Sequence, residues 1–134
     1  MKDDVFIDTN LWIYLYSNME KGNKIKELID ERYGNIIIST QILSEFFCTL
    51  TRKGFKSKKE AREIIIELSE NFRVVPIKQN TVISAIDLHL IYGYSYWDSL
   101  VVASALENGC KTLFSEDLQS GQLIENKLKV TNPL

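Results

Sequence analysis

Four acidic residues occupy similar places along the chain, although they are far apart in sequence. They are Asp8, Glu45, Asp98 and Asp117, and each follows or opens an apolar segment. An unpaired charge buried beside such a segment is energetically expensive, so we expect the fold to bring these carboxylates together. Gathered carboxylates repel one another unless a cation joins them. The pattern therefore predicts a site for Mg²⁺ or Mn²⁺ and, with it, chemistry on phosphate groups.

Each of these acids also has a simpler interpretation when it is taken alone. Asp8 and Asp117 each follow a predicted strand, where an aspartate can form a turn or cap a helix. Glu45 lies on the polar side of its predicted helix, as a solvated surface residue would. Asp98 can close a capping box with Ser95. These alternatives stay open for single residues, and only the joint pattern favours a metal site.

The joint pattern matches what a phosphodiester-cleaving metal site needs. Mg²⁺ takes oxygen ligands and keeps several waters, and two such ions lie ~3.5–4 Å apart in sites of this kind. Three or four carboxylates from different elements would supply the ligands and roughly balance the charge of two ions. One ion then activates a water, and the other stabilises the leaving oxygen. Thr9, Asn10 and Ser115 neighbour two of the acids, so we expect them to hold ligands or waters in place.

Apolar periodicity indicates the elements that must position these residues. It predicts short strands at residues 4–8, 35–38, 74–77, 111–114 and 128–131. It predicts helices after Asn10, which would cap the first of them, and at about residues 22–33, 40–53, 57–71, 79–92 and 96–108. Strands that alternate with helices imply one α/β domain over residues 1–134, a three-layer α/β/α sandwich around a mostly parallel sheet of four to five strands. Ligands bind beyond the carboxyl ends of such strands, where Asp8 and Asp117 lie.

The bulk composition bounds the class of protein. The chain has 134 residues, a net charge of -2, and 45% hydrophobic and 25% charged residues, which suit a single globular domain with its own core. Cys48 and Cys110 lie within apolar segments, so we expect buried free thiols rather than a disulfide. His89 is the only histidine, which excludes a metal-free ribonuclease that relies on paired histidines.

The sequence gives no sign of a membrane or secretory location. No apolar run approaches the ~20 residues of a membrane span. The N-terminal segment is acidic, and its apolar stretch is too short for a signal peptide. We therefore expect a cytoplasmic protein without membrane contact.

Four short motifs resemble those of the PIN-domain nucleases, and the likeness extends over nearly the whole chain. They are Phe6-Ile7-Asp8-Thr9-Asn10, Glu45 in the helix after the second strand, Tyr96-Trp97-Asp98 at the start of a helix of small residues, and Ser115-Glu116-Asp117. The resemblance implies a PIN-like fold in which the four acids bind metal and carry the catalysis. Glu116 stands beside Asp117 and is the alternative for the fourth position.

The small size of the chain looks most like the VapC-type toxins of prokaryotic toxin–antitoxin pairs. This resemblance implies an endoribonuclease that uses Mg²⁺ or Mn²⁺ and leaves 5′-phosphate and 3′-hydroxyl ends. It also implies a homodimer, and an antitoxin protein that holds the enzyme inactive. Arg52, Lys53 and Lys56 belong to a basic run after Glu45 that either binds the RNA backbone or forms a solvated helix start. We expect Trp97 to be a core residue rather than a platform for an RNA base.

Two other functions remain open at this point. A magnesium-dependent phosphatase would use Asp8 as its nucleophile, but such enzymes want a second aspartate two residues on, where this chain has Asn10. A non-catalytic binding domain would use its acids only to cap helices and would bind no metal.

Overall fold

The computed structural model describes residues 2–134, which form six strands and six helices. The strands are β1 (Val5–Ile7), β2 (Ile36–Ser39), β3 (Arg73–Val75), β4 (Thr112–Phe114), β5 (Leu123–Ile124) and β6 (Leu128–Thr131). The helices are α1 (Thr9–Ser17), α2 (Met19–Arg32), α3 (Thr40–Arg52), α4 (Lys58–Asn71), α5 (Gln79–Tyr92) and α6 (Tyr96–Glu107). Across the described residues, no helix has the length and apolar character that crossing a membrane requires.

The strands form one sheet in the order β3-β2-β1-β4-β6-β5, in which β5 is antiparallel to β6 and the other pairs are parallel. From β1 the chain moves outward through β2 to β3 and then returns past β1 to β4. Right-handed crossovers therefore place α1–α4 on one face of the sheet and α5 and α6 on the other. Helix α1 packs against α2 and α3, α3 against α4, and α5 against α6. The predicted three-layer α/β fold with a mostly parallel sheet is confirmed.

The sheet has six strands rather than the predicted four to five, because the sequence does not predict β5. This strand has two residues, too few to show a period, and Leu123 stands opposite Lys129 of β6. Three residues connect the two strands, and the first two of them, Glu125 and Asn126, have positive φ angles of 53° and 56°, which allow a tight reversal of the chain. Glutamate is an unusual residue at such a position, so the sequence carries only half of the usual turn signal.

The centre of the sheet is buried on both faces. Every residue of β1 and of β2 is buried, which explains why these strands are continuous apolar runs rather than alternating ones. Helix α6 is apolar nearly all round and buries residues 99–105 without interruption, as expected of a central helix. Each fully buried Leu, Ile or Phe in this core contributes about 1.5–3 kcal/mol to the free energy of unfolding.

Two helix starts show how side chains satisfy free backbone N–H groups. Ser57 and Glu60 form the predicted capping box at the start of α4. The prediction that Asn10 caps α1 is wrong. The cap and the start of the helix lie two residues earlier, at Asp8 and Thr9, and the carboxylate of Asp8 accepts the Thr9 N–H at 2.8 Å. Because Asp8 is the cap, the Asn10 side chain is free to bond elsewhere.

The two cysteines differ in exposure. Both thiols are free, as predicted, and Cys110 is buried. The prediction that Cys48 is buried is wrong, because its side of α3 faces an open groove between α3 and α4. Burial raises the pKa of the Cys110 thiol to about 12, so this cysteine is the less reactive of the two.

Candidate metal centre

The candidate site lies where two central strands end. Strands β1 and β4 are parallel neighbours, with Ile7 opposite Phe114, so the residues that follow them leave the same edge of the sheet. Asp8 donates its backbone N–H to the carbonyl of Phe114 at 3.0 Å. The chain leaves β1 toward β2 and leaves β4 toward β6, in opposite directions, and α/β sheets bind ligands in the crevice at such a reversal. Asp8 and residues 115–117 therefore lie at this crevice.

Three of the four predicted acids converge there. Asp8, Asp98 and Asp117 each offer a carboxylate oxygen, and these oxygens all lie within 4.8 Å of one another. Asp98 reaches the crevice from the first turn of α6, where its backbone N–H is fixed by the Ser95 hydroxyl at 3.1 Å. Asp8 is buried, Asp98 is half-buried and Asp117 is exposed, so the cluster runs from the protein interior to solvent.

Glu45 lies beside this cluster rather than within it. It lines the same cavity of about 110 Å³ as the three aspartates, but it is not among the oxygens that converge. Helix α3 follows β2 without a loop, because Ser39 ends the strand and also caps the helix through the Ile42 N–H. Glu45 is held in place by the hydroxyl of Thr9, which donates to its Oε1 at 2.9 Å.

The three residues predicted to support the acids all bond to them. Ser115 donates its hydroxyl to Asp8 Oδ2 at 2.9 Å and accepts the Asp117 backbone N–H at 3.2 Å. Asn10 donates from Nδ2 to both oxygens of Asp117, at 3.0 and 3.2 Å. Thr9 donates its backbone N–H to Asp8 and its hydroxyl to Glu45. These bonds fix the carboxylate orientations before any ligand arrives.

Burial and mutual repulsion both make the cluster hard to ionise. Burial raises the pKa of the Asp8 carboxyl from 3.8 to about 7, although its two hydrogen bonds act in the opposite direction. The charges of Asp117 and Asp98 raise the Asp8 pKa further. Burial also raises the pKa of Asp117, as do the charges of Asp98 and Glu116.

Within residues 2–134, no basic side chain forms a salt bridge with this cluster. The ion pair found in that range joins Arg62 to Glu63, which are both exposed on α4. Carboxylate oxygens are the ligands that Mg²⁺ and Mn²⁺ prefer, and a divalent ion would supply the positive charge that the side chains do not. The arrangement of Asp8, Asp98 and Asp117 can therefore hold such an ion.

Glu116, the alternative for the fourth acidic position, is engaged elsewhere. The hydroxyl of Tyr14 on α1 donates to its carboxylate. This bond raises the pKa of Tyr14 to about 12. The converging oxygens belong to Asp117 and not to Glu116.

Comparison with known proteins agrees with this geometry. A family model described as PIN domain matches residues 5–121. The chain belongs to the PIN domain family. Among curated protein sequences, none matches the chain.

Solved structures share the fold of this PIN domain over nearly their whole lengths. VapC20 of Mycobacterium tuberculosis, described as a toxin that cleaves the sarcin–ricin loop, is 21% identical with a TM-score of 0.71, over 85% of this chain and 92% of that one. A toxin–antitoxin complex from Klebsiella pneumoniae is 18% identical with a TM-score of 0.75, over 98% of both chains. DNA-bound VapBC from Salmonella typhimurium is 14% identical with a TM-score of 0.76, over 99% of this chain and 100% of that one.

The predicted RNA-binding cations of the PIN domain lie near the site but outside its cavity. Arg52 and Lys53 are exposed at the end of α3, and Thr49, one turn earlier, lines the carboxylate cavity. Lys56 is half-buried, with its Nζ 5.6 Å from the centre of the Tyr16 ring. These cations can contact a polyanion that extends along α3 from the carboxylates.

Trp97 lines the candidate site, which the sequence analysis did not predict. The residue is 62% exposed and lines the carboxylate cavity, so the prediction that Trp97 is a core residue is wrong. The continuous burial of α6 begins only at Ser99, after the first turn. The sequence did contain a signal for this exposure, because Trp97 directly precedes Asp98. A helix turn that presents a carboxylate to a crevice lies at the protein surface.

Proposed function

We propose that this PIN domain is a metal-dependent endoribonuclease that acts as the toxin of a type II toxin–antitoxin pair. The observation that carries the proposal is the convergence of Asp8, Asp98 and Asp117 within 4.8 Å, without a neutralising basic side chain, at the crevice of the sheet. An arrangement this repulsive is costly to keep unless it binds a cation. A catalytic role for the bound cation would explain why the three carboxylates lie so close together.

The residues that would hold Mg²⁺ or Mn²⁺ are Asp8, Asp98 and Asp117, with Glu45 at the side of the cavity. When bound there, the ion supplies a water that is activated at neutral pH and a Lewis acid for the phosphodiester oxygens. The chain itself orients the ligands, through the bonds that Ser115, Thr9 and Asn10 make to the acids. Cations on α3 and after it, namely Arg52, Lys53 and Lys56, would hold phosphates of the RNA on either side.

The choice of RNA and of the toxin role is supported by the proteins that share this fold. VapC20 is described as a toxin that cleaves an RNA loop, and other structural neighbours are complexes of a toxin with its antitoxin. We extend this role to the present chain because its fold covers almost the whole of those proteins and its acids converge at the crevice. An RNA substrate would place the enzyme in the cytoplasm.

The surface offers a candidate place for the antitoxin. A groove of about 780 Å³ runs between α3 and α4. Its lining includes the apolar residues Leu43, Phe47 and Ile65 and the basic residues Lys58, Lys59 and Arg62. An amphipathic helix with acidic flanks would match both features. Because Cys48 also lines the groove, a bound antitoxin would protect this thiol from alkylation.

A second exposed surface supports a homodimer. Ile83, Ile86 and Leu90 form an exposed stripe at helical spacing on α5. Contiguous exposed apolar residues of this kind mark interaction surfaces. We expect the wild-type protein to sediment as a dimer and the Ile86→Asp variant as a monomer. Asp87→Asn, at the neighbouring exposed residue, should sediment as the wild type does. A wild-type protein that sediments as a monomer at all concentrations would contradict the homodimer.

The decisive experiment is cleavage of a mixed cellular RNA pool by purified protein. Wild-type protein should cut RNA with Mg²⁺ or Mn²⁺ and not with EDTA, and Asp98→Asn should lose at least about 100-fold of the rate. Asp30→Asn, an equal charge change at an exposed position of α2, is the matched control and should cut normally. Equal cutting by wild type and Asp98→Asn would refute the carboxylate-metal mechanism.

The two other functions predict different outcomes. A phosphatase that uses Asp8 would hydrolyse a phosphomonoester such as p-nitrophenyl phosphate. The position of its second aspartate holds Asn10, whose side chain is bonded to Asp117. A non-catalytic domain would gain no thermal stability from Mg²⁺ or Mn²⁺. Metal-dependent RNA cutting without phosphomonoester hydrolysis would leave only the ribonuclease.

A further inference from the structure

A second concavity opens beside the carboxylate cavity. Its volume is about 460 Å³, within the ~300–1,000 Å³ range of small-ligand sites. Its lining includes the apolar side chains of Ile77, Trp97 and Leu100 and the polar side chains of Gln41, Ser44 and Glu45. We call it the Trp97 hollow. It shares Glu45 and Trp97 with the carboxylate cavity, so a ligand can occupy both at once.

Trp97 presents an indole ring to solvent at the boundary of the two cavities. Trp97 is 62% exposed as a residue, in contrast to Trp12, which is 1% exposed in the core. Tyr96 meets it edge to face, with ring centres 5.1 Å apart, and Tyr96 itself packs against the core. An anchored, exposed aromatic ring is a surface on which a nucleobase can stack.

Gln41 lines the hollow beside Trp97 and holds the backbone there. This residue is only 8% exposed, and its Nε2 donates to the backbone carbonyl of Trp97 at 3.1 Å. Its Oε1 is buried and accepts no hydrogen bond from any described residue. Because this oxygen has almost no accessible surface, a ligand in the hollow does not reach it; the Nε2 bond instead fixes the Trp97 backbone against α3.

The charge of the hollow narrows the choice of ligand. No lysine or arginine lines it, and Glu45 gives it a negative wall. A phosphate is therefore disfavoured. A neutral aromatic group fits the apolar walls and the exposed Trp97 together.

We propose that the Trp97 hollow binds one unpaired nucleobase of the RNA, next to the phosphate that lies at the carboxylates. Trp97 stacks on the base, and Ile77 and Leu100 form the apolar walls beside it. This inference rests on the proposed ribonuclease function. It makes Trp97 a positioning residue and means that the substrate is single-stranded at this nucleotide, because a paired base cannot enter the hollow.

The test compares two ligands of equal length and charge, a short single-stranded oligoribonucleotide and its abasic counterpart. Binding is measured with Mg²⁺ in an Asp98→Asn background, so that the RNA stays intact. The normal ligand should bind more tightly than the abasic one, and Trp97→Ala should remove about fivefold to 150-fold of affinity for the normal ligand only. Trp97→Phe should keep most of the difference. Tyr33→Ala, at an exposed tyrosine on another surface, is the control and should change nothing.

Tryptophan fluorescence gives a second readout that does not depend on cleavage. The chain has two tryptophans, and the core position of Trp12 shields it from a bound base. The normal oligoribonucleotide should therefore quench emission in the Trp97 protein and not in Trp97→Phe, even where the two bind with similar affinity.

Three results would overturn the inference. Equal affinity of Trp97 and Trp97→Ala proteins for both ligands would remove the base subsite while leaving the ribonuclease function intact. No binding of either ligand would also remove it, and the RNA-pool cleavage assay would then decide the function separately. If Trp97 emission changes with protein concentration in the absence of RNA, a second copy of the chain covers the hollow instead of a base.

Discussion

The buried carboxylate of Asp8 makes the stability of the metal-free protein depend on pH in an unusual direction. Its pKa is raised from 3.8 to about 7, mainly by burial. Between these two values the folded protein binds more protons than the unfolded chain, so the free energy of unfolding falls as the pH rises. Asp8→Asn removes the charge and keeps the cap, since the amide oxygen can still accept the Thr9 N–H.

The size of the effect follows from the two pKa values. Asp8 is only 6% exposed, so solvent screens its charge little. Because its pKa is raised, Asp8 lowers the free energy of unfolding by roughly 4 kcal/mol at about pH 7.5, where the folded carboxyl is mostly ionised, and by roughly 1.7 kcal/mol at about pH 5, where it is protonated. We expect Asp8→Asn to stabilise the metal-free protein by about 2–4 kcal/mol at the higher pH. For a chain of this length, that is a rise in Tm of about 8–15 °C.

Thermal unfolding in EDTA at both pH values would measure this effect, with Asp30→Asn as the control for the charge change. The gain from Asp8→Asn should shrink by about 2 kcal/mol at about pH 5, and the control should show no such dependence. Saturating Mg²⁺ or Mn²⁺ should raise the Tm of the wild type and leave Asp8→Asn nearly unchanged. A destabilised Asp8→Asn protein, or a gain that is equal at both pH values, would refute the reasoning.

Three further predictions concern other parts of the chain. Gly22→Ala should lower the free energy of unfolding by about 1–3 kcal/mol, because the added Cβ would lie 2.6 Å from the Tyr14 carbonyl oxygen. Denaturant unfolding measures this loss of stability, and an unchanged midpoint would contradict the close packing of α1 and α2. Ser57→Ala should cost about 0.5–2 kcal/mol in thermal unfolding through loss of the α4 cap, with RNA cutting unaffected. A maleimide should modify Cys48 alone in the folded protein, and mass spectrometry should find Cys110 labelled only after unfolding.

The order and type of most elements could be read from the chain, because each is encoded locally. Continuous apolar runs predicted the buried strands β1 and β2, and the small, apolar residues after Asp98 predicted a central helix. The capping box at Ser57 set the start of α4. Strand β5 escaped prediction because two residues carry no period, and the turn that forms it depends on pairing with β6.

Four acids were also singled out from the sequence as candidates, because an unpaired charge buried beside an apolar run is costly. Only the tertiary structure decided how they divide. Asp8, Asp98 and Asp117 converge on one cavity. Glu45 lies beside them and accepts a hydrogen bond from the Thr9 hydroxyl, whereas Glu116 accepts one from the Tyr14 hydroxyl.

The exposure of single side chains likewise depended on the tertiary structure. Trp97 and Cys48 lie in apolar segments that are buried elsewhere, yet both are exposed. Local sequence determines the period of a helix and which residues share a face. The direction of that face, and the grooves left between packed helices, follow from contacts between residues far apart in the chain. For this reason the sequence predicted the fold and the aspartates that converge, and only the packing of α3, α4 and α6 decided which side chains line the surfaces around the carboxylates.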